Sequence, residues 1–174
     1  MRNKIAMFKR WFMMLTGKTA VAVKQDVGKK YSKNRIEGYY NDLTGKVCDN
    51  TELDKDGIPV TSIAGGEKVH FPIAVFQYGL GCYDLFLLTK EDDYLKKFYK
   101  IVSWTVDNIN QNGSWDCFSS IKSDRYNVSS MCQGEGASLL FRAYADSHDS
   151  TYKELGEKAV DFMLLPIIGG YCLL

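Results

Sequence analysis

The chain has 174 residues and a net charge of +1. That length suits a single domain with a real core, and the near-neutral charge removes any broad electrostatic case for nucleic acid as a partner. Five cysteines without a C-x-x-C pair, and two scattered histidines (His70 and His148), carry no zinc signature. We expect no metal and no cofactor. The cysteines read as free thiols, with Cys82 and Cys132 inside apolar helical patterns as core residues.

Residues 1–16 are predicted helical, basic and apolar. Lys9 and Arg10 break the apolar run, so no signal-peptide core forms, and no stretch reaches the ~20 apolar residues needed to span a bilayer. The segment is either a leading helix that packs on the domain or a basic amphipathic helix lying on a membrane surface. Residues 1–35 form an N-terminal leader and 36–174 the domain proper. From Lys33 to Gly66 the pattern is rich in turns, with short strands possible between them. Asp54, Asp56 and Gly57 faintly resemble a calcium loop but lack the closing Glu, and a plain turn explains them.

Phe71–Thr89 is apolar nearly all round, which predicts a buried helix with Pro72 in its first turn. Its polar side chains, Gln77 and Asp84, share a stripe with Gly81. Gly79 and Gly81 weaken a helix by roughly 1 kcal/mol each, so they imply either close packing or room for a ligand. Thr89 and Asp92 suggest a capped start to an amphipathic helix over 91–110, with Leu95, Phe98, Val102, Thr105 and Ile109 along one face. A loop or short hairpin over 113–126 carries Trp115, Asp116 and Phe118. A second apolar helix follows over 129–147, and Asp149 or Ser150 opens a fourth, with Tyr152, Leu155, Ala159 and Phe162 on its buried face.

These four helices repeat one unit. Aligning Tyr78–Gly81 with Gln133–Gly136 gives a period of about 55 residues; Tyr94 also matches Tyr152, Val102 matches Val160, and Trp104 matches Phe162. The expected fold is mainly all-α, a partial α/α-toroid of two αα-hairpins with first helices inside and second helices outside. Gln77, Tyr78, Asp84, Gln133, Glu135 and Arg142 then become candidates to line an inner cavity. Glu135, Ser138 and Arg142 fall on one face of one helix, either facing a ligand or forming a satisfied polar ladder.

The segments FPIAVFQYGLGCYDL (from Phe71), Gly113-Ser114-Trp115 and SSMCQGEGASLLFRAY (from Ser129), with Gly57-Ile58-Pro59 ahead of them, resemble the C-terminal α/α-barrel domain of the D-glucuronyl C5-epimerase family. The resemblance covers roughly residues 36–170. It implies inversion of C5 in glucuronate units of a heparosan-like polysaccharide, by proton abstraction on one face and return on the other. It implies no redox cofactor, and a uronic-acid-containing polysaccharide as partner. Gln77, Tyr78 and Gln133 carry over as substrate-binding candidates. Glu135 stands where the family often has Gln, and would repel a uronate unless protonated or paired with Arg142. The family's catalytic tyrosines are expected beyond the segment matching Gly169–Gly170, so none carries over, and within the chain only Tyr78 and Glu135 are catalytic candidates. Two hairpins cannot close a ring, which suggests a partial domain, with a missing C-terminal half or a second copy in a homodimer covering the open edge. The alternatives are a glycan-binding remnant using Tyr78, Tyr83 and Trp115, or another toroid enzyme such as a lyase, or a glycosidase using Asp84 with Glu135. No signal peptide is recognisable, so a cytoplasmic location is expected, with membrane association through the N-terminus as an addition.

Overall fold

The computed structural model describes residues 8, 11–12, 15–16, 26–47, 51–63, 66–119 and 127–165. Within them the chain is mainly helical. A 3-10 turn (Thr44–Lys46) and two short antiparallel strands, β1 (Thr61–Ser62) and β2 (Lys68–Val69), precede four helices: α1 (Pro72–Thr89), α2 (Asp92–Asp107), α3 (Ser130–Ser147) and α4 (Ser150–Met163). The helical leader lies largely outside the described residues, as do Cys48, Cys172 and the 120–126 part of the loop carrying Trp115. Cys82, Cys117 and Cys132 are buried free thiols.

The helices form two hairpins, α1 against α2 and α3 against α4, joined through α1 and α3. Both first helices are buried on most of their surface, whereas α2 and α4 each keep an exposed polar face. The apolar composition of the first helices dictates this arrangement, because a helix without a polar face can only sit inside. Gly79 marks the closest approach in the core: a Cβ there would lie 2.7 Å from both Ile101 of α2 and Leu139 of α3. A Cβ on Gly136 would likewise lie 2.7 Å from the Trp115 ring.

The repeat is 58 residues throughout. Pro72 and Ser130 start the first helices, Asp92 and Ser150 the second, and Lys90 (φ 62°) and His148 (φ 60°) are the left-handed residues between them. The hinges match in detail. Thr89 and Ser147 each turn a hydroxyl back onto the carbonyl four residues earlier and accept from the N–H two residues later. The Tyr78–Gln133 alignment, at about 55, is therefore three residues out of register. In the corrected register Gln77 corresponds to Glu135 and Asp84 to Arg142. Thr89 also closes α1 rather than capping α2; Glu91 takes the N-cap position, without a side-chain bond. The second helix stops at Asp107, three residues before its expected end.

The segment ahead of the helices packs onto α1. Residues 26–42 double back on themselves through a bridge between Val27 and Asn41, and the expected boundary at 35/36 falls inside that turn. The 3-10 turn then lies against α1, where the Leu43 carbonyl occupies the space a Cβ on Gly81 would need. The Asp54–Gly57 stretch is a turn: Asp54 Oδ1 accepts from the N–H groups of Asp56 and Ile58, both at 2.9 Å, and Gly57 takes φ 84°. Among the described residues no group of acidic, His or Cys side chains is arranged to hold a metal ion.

Candidate functional site

The polar residues of the inner helices meet across the α1–α3 seam at two levels. Equivalent positions of the two repeats face each other at both, so the helices run side by side in the same direction. At the first level Gln77 Nε2 donates to Glu135 Oε1 at 2.9 Å. The other carboxyl oxygen, Oε2, is buried and has no partner among the described residues. Glu135 is only 5 % exposed. Burial pushes its carboxyl up to about 7, against the opposing pull of the Gln77 bond and the nearby charge of Lys46.

At the second level sit Asp84 and Arg142. Asp84 Oδ1 accepts from the backbone N–H of Tyr39 at 2.9 Å. Arg142 donates to the carbonyls of Ser138 and Gly38, both at 2.9 Å, and its guanidinium lies 5.2 Å from the Tyr39 ring centre. Burial raises Asp84 to about 6, although the Tyr39 bond and the Arg142 charge both oppose the rise. Burial also lowers the Arg142 pKa, while Asp84, Tyr39 and Tyr83 act in the other direction. This pair fastens the chain's own residues 38–39 to the inner helices.

The stripe Gln77–Gly81–Asp84 is thus covered along most of its length by residues 38–47, and only its Gln77 end couples to Glu135. Arg142 bonds the Ser138 backbone rather than Glu135, so no continuous ladder runs along α3. Asp84 and Glu135, the possible glycosidase pair, are each buried and held by a different partner.

The remaining candidates fall elsewhere. Tyr78 lies on the α2 side, beside the Cys82 thiol and within the field of Asp93 and Tyr94; burial raises its phenol far above the usual range and the Cys82 thiol to about 12. Gln133 clasps the loop before α3: in the orientation that satisfies both groups, its amide nitrogen donates to Gly113 O at 3.2 Å and its oxygen accepts from Trp115 N at 2.9 Å. Tyr78, Tyr83 and Trp115, the possible sugar platforms, are all core residues. Trp115 is also anchored through Nε1 to Thr105 O at 2.9 Å.

The fold and seam define a pair of αα-hairpins repeated at 58 residues, with the Gln77–Glu135 bond running between them. Residues 109–172 match the family described as D-glucuronyl C5-epimerase C-terminus, the family that the sequence resembles. The matched range takes in Gln133, Glu135 and Arg142, while Gln77, Tyr78 and Asp84 precede it. Comparison with curated proteins and with solved structures finds no match.

Proposed function

We propose that this chain carries the substrate-binding framework of a polysaccharide uronate C5-epimerase, as one sector of an α/α-toroid. The family match over residues 109–172 is the observation that carries the reading. Two hairpins with their greasier helices inward support the toroid. The Gln77–Glu135 pair supports uronate binding, because a carboxyl raised to about 7 is largely protonated in mildly acidic solution and does not then repel a substrate carboxylate. Lys46, half-buried nearby, supplies the positive field.

Epimerisation needs one group to take the C5 proton and another to return a proton on the opposite face. Neither internal candidate presents an accessible reacting atom: Glu135 Oε2 is sealed, and the Tyr78 phenol belongs to the α1–α2 interface. Incubation with a heparosan-type polymer in heavy water, read by NMR, is therefore expected to show binding without deuterium entering uronate C5. Deuterium at C5 would place an acid and a base among these residues and overturn the assignment of binding alone. A folded chain that neither binds nor exchanges would overturn the epimerase reading altogether. An unsaturated, ultraviolet-absorbing product would replace it with a lyase.

The N-terminus supports a second role. Phe8, Trp11, Phe12 and Leu15 are helical, exposed and spaced along one face, with Arg2 and Lys4 ahead of them in sequence and Lys9 and Arg10 between them. No helix among the described residues is long and apolar enough to cross a membrane. A basic, aromatic helix of this kind binds anionic bilayer surfaces. The chain is expected to sediment with vesicles containing phosphatidylserine and to be released by salt. Vesicle binding unchanged by a Trp11→Glu/Phe12→Glu replacement would sink the idea.

A further inference from the structure

A second recess lies away from the α1–α3 seam. It is a cleft of about 480 Å³ between the start of α1, the end of α2 and the loop before α3, lined by residues that include His70, Trp104, Asp107, Asn110 and Asp116. This volume falls within the ~300–1,000 Å³ of small-molecule sites. Past His70, Trp104 and Asp107 it continues into a shallower recess of about 320 Å³ reaching Asp54 and Lys100.

The cleft is organised around Trp104. The indole is half-buried and off the core-facing stripe of α2. Phe76 supports it edge-on from the core, with ring centres 6.1 Å apart, and His70 approaches at 6.0 Å. His70 is itself held, its Nε2 lying 2.8 Å from Asp54 Oδ2. Burial pushes the Asp54 carboxyl up, but the bonds from Ile58, His70 and Asp56 outweigh it and hold the group below the usual range. The imidazole therefore has a fixed anionic partner. Unlike Trp115, Trp104 donates its indole N–H to no group among the described residues. Asp107 and Asp116 stand exposed on the rim, Asp116 accepting from Asn110 Nδ2 at 3.3 Å.

We infer that this cleft binds an uncharged pyranose. A sugar ring offers an apolar C–H face, suited to a supported indole, and an edge of hydroxyls that both donate and accept. The cleft answers each: the Trp104 face is the platform and its in-plane N–H a donor to a neighbouring unit, while Asp107, Asp116 and the Asn110 amide oxygen are acceptors. A uronate would meet the carboxylates of Asp107 and Asp116 at close range. A simple amine would leave the indole donor idle. The site is independent of the Gln77–Glu135 pair and stands whether or not the epimerase reading holds.

The test uses the full chain labelled at its tryptophan indoles, titrated with an N-acetylglucosamine oligomer, a glucuronate oligomer and a polyamine. The neutral oligomer is expected to shift the Trp104 signal with millimolar affinity, and the glucuronate oligomer to bind at least several-fold more weakly. Asp107→Asn/Asp116→Asn should narrow that difference. Trp104→Ala should abolish neutral-sugar binding, and Trp104→Phe, which keeps a ring against Phe76, should retain part of it. No shift with the neutral oligomer, equal or tighter binding of glucuronate, or a response to the polyamine alone would each overturn the inference.

Discussion

Arg142→Met is expected to destabilise the fold by about 3 kcal/mol, the order of removing a buried charged donor from its carbonyl. At roughly 2–4 °C per kcal/mol for a chain of this size, the melting temperature should fall by about 10 °C. Arg142 is 8 % exposed, and its guanidinium does three things at once. It satisfies the Gly38 carbonyl, packs over the Tyr39 ring, and sets a positive charge near the buried Asp84. Methionine preserves much of the packing but leaves the carbonyl unmatched and the carboxylate without a counter-charge. Because these contacts fasten residues 38–39, proteolytic cutting ahead of α1 should accelerate before the helices melt. Adding Asp84→Asn should recover part of the loss, since an amide oxygen can still accept from Tyr39 N–H while the uncompensated charge disappears. A melting shift under 2 °C for Arg142→Met would rule out the clamp. Failure of Asp84→Asn to recover any stability would show that charge compensation is not what Arg142 supplies.

The helices were legible because their signals are local. Continuous apolarity marked α1 as buried, the Leu95–Phe98–Val102 spacing marked α2 as amphipathic, and Ser129 and Asp149 each cap the helix they precede. The register of the repeat was legible only in its second helices, where Tyr94, Val102 and Trp104 align with Tyr152, Val160 and Phe162 at 58. In the first helices the glycines misled. Gly79 and Gly81 do not correspond to Gly134 and Gly136, because each glycine answers a different neighbour: Gly79 the meeting of α2 and α3, Gly81 the Leu43 carbonyl, Gly136 the Trp115 ring. Partners distant in sequence decide such positions, and periodicity does not encode them. The sequence suggested that Gln77, Tyr78, Asp84, Gln133, Glu135 and Arg142 line an inner cavity; in the structure all but the half-buried Gln77 are buried, held by partners that were not foreseeable. Nothing local says that Asp84 takes the N–H of Tyr39, or that Gln133 holds the loop before α3. In the repeat Trp104 corresponds to Phe162. Its position off the core-facing stripe of α2 was the available signal, since a tryptophan there must either find a neighbour from elsewhere or face a cleft.

Glu135→Gln is expected to flatten the pH dependence of stability in the neutral range. The sign follows from the direction of the shift. Unfolded, the carboxyl ionises near its ordinary value of 4.5, whereas in the fold burial holds it to about 7. Between those values the folded chain keeps a proton that the unfolded chain has released, so stability falls as pH rises through the window. The full loss is about 3 kcal/mol, at 1.36 kcal/mol for each pH unit of displacement. Asp84, raised from 3.8 to about 6, acts in the same direction; it is half titrated at pH 6 and adds about 0.4 kcal/mol to the fall between pH 6 and pH 8 in both proteins. The difference between the wild type and Glu135→Gln from pH 6 to pH 8 therefore isolates Glu135, at about 1–1.5 kcal/mol. Glutamine can keep its oxygen toward Gln77 while leaving an amide in place of the unpartnered Oε2, which costs about 1–3 kcal/mol at every pH. Its melting temperature should then start lower at pH 6 and descend less steeply than that of the wild type. Binding should follow the same titration. A polymer of uronate is expected to bind the wild type more weakly at pH 8 than at pH 6, as the buried carboxyl becomes a carboxylate, and to bind Glu135→Gln equally at both. Parallel stability curves for the two proteins would show that Glu135 does not titrate in this window. A pH-dependent affinity surviving in Glu135→Gln would move the titrating group elsewhere and detach the α1–α3 seam from uronate recognition.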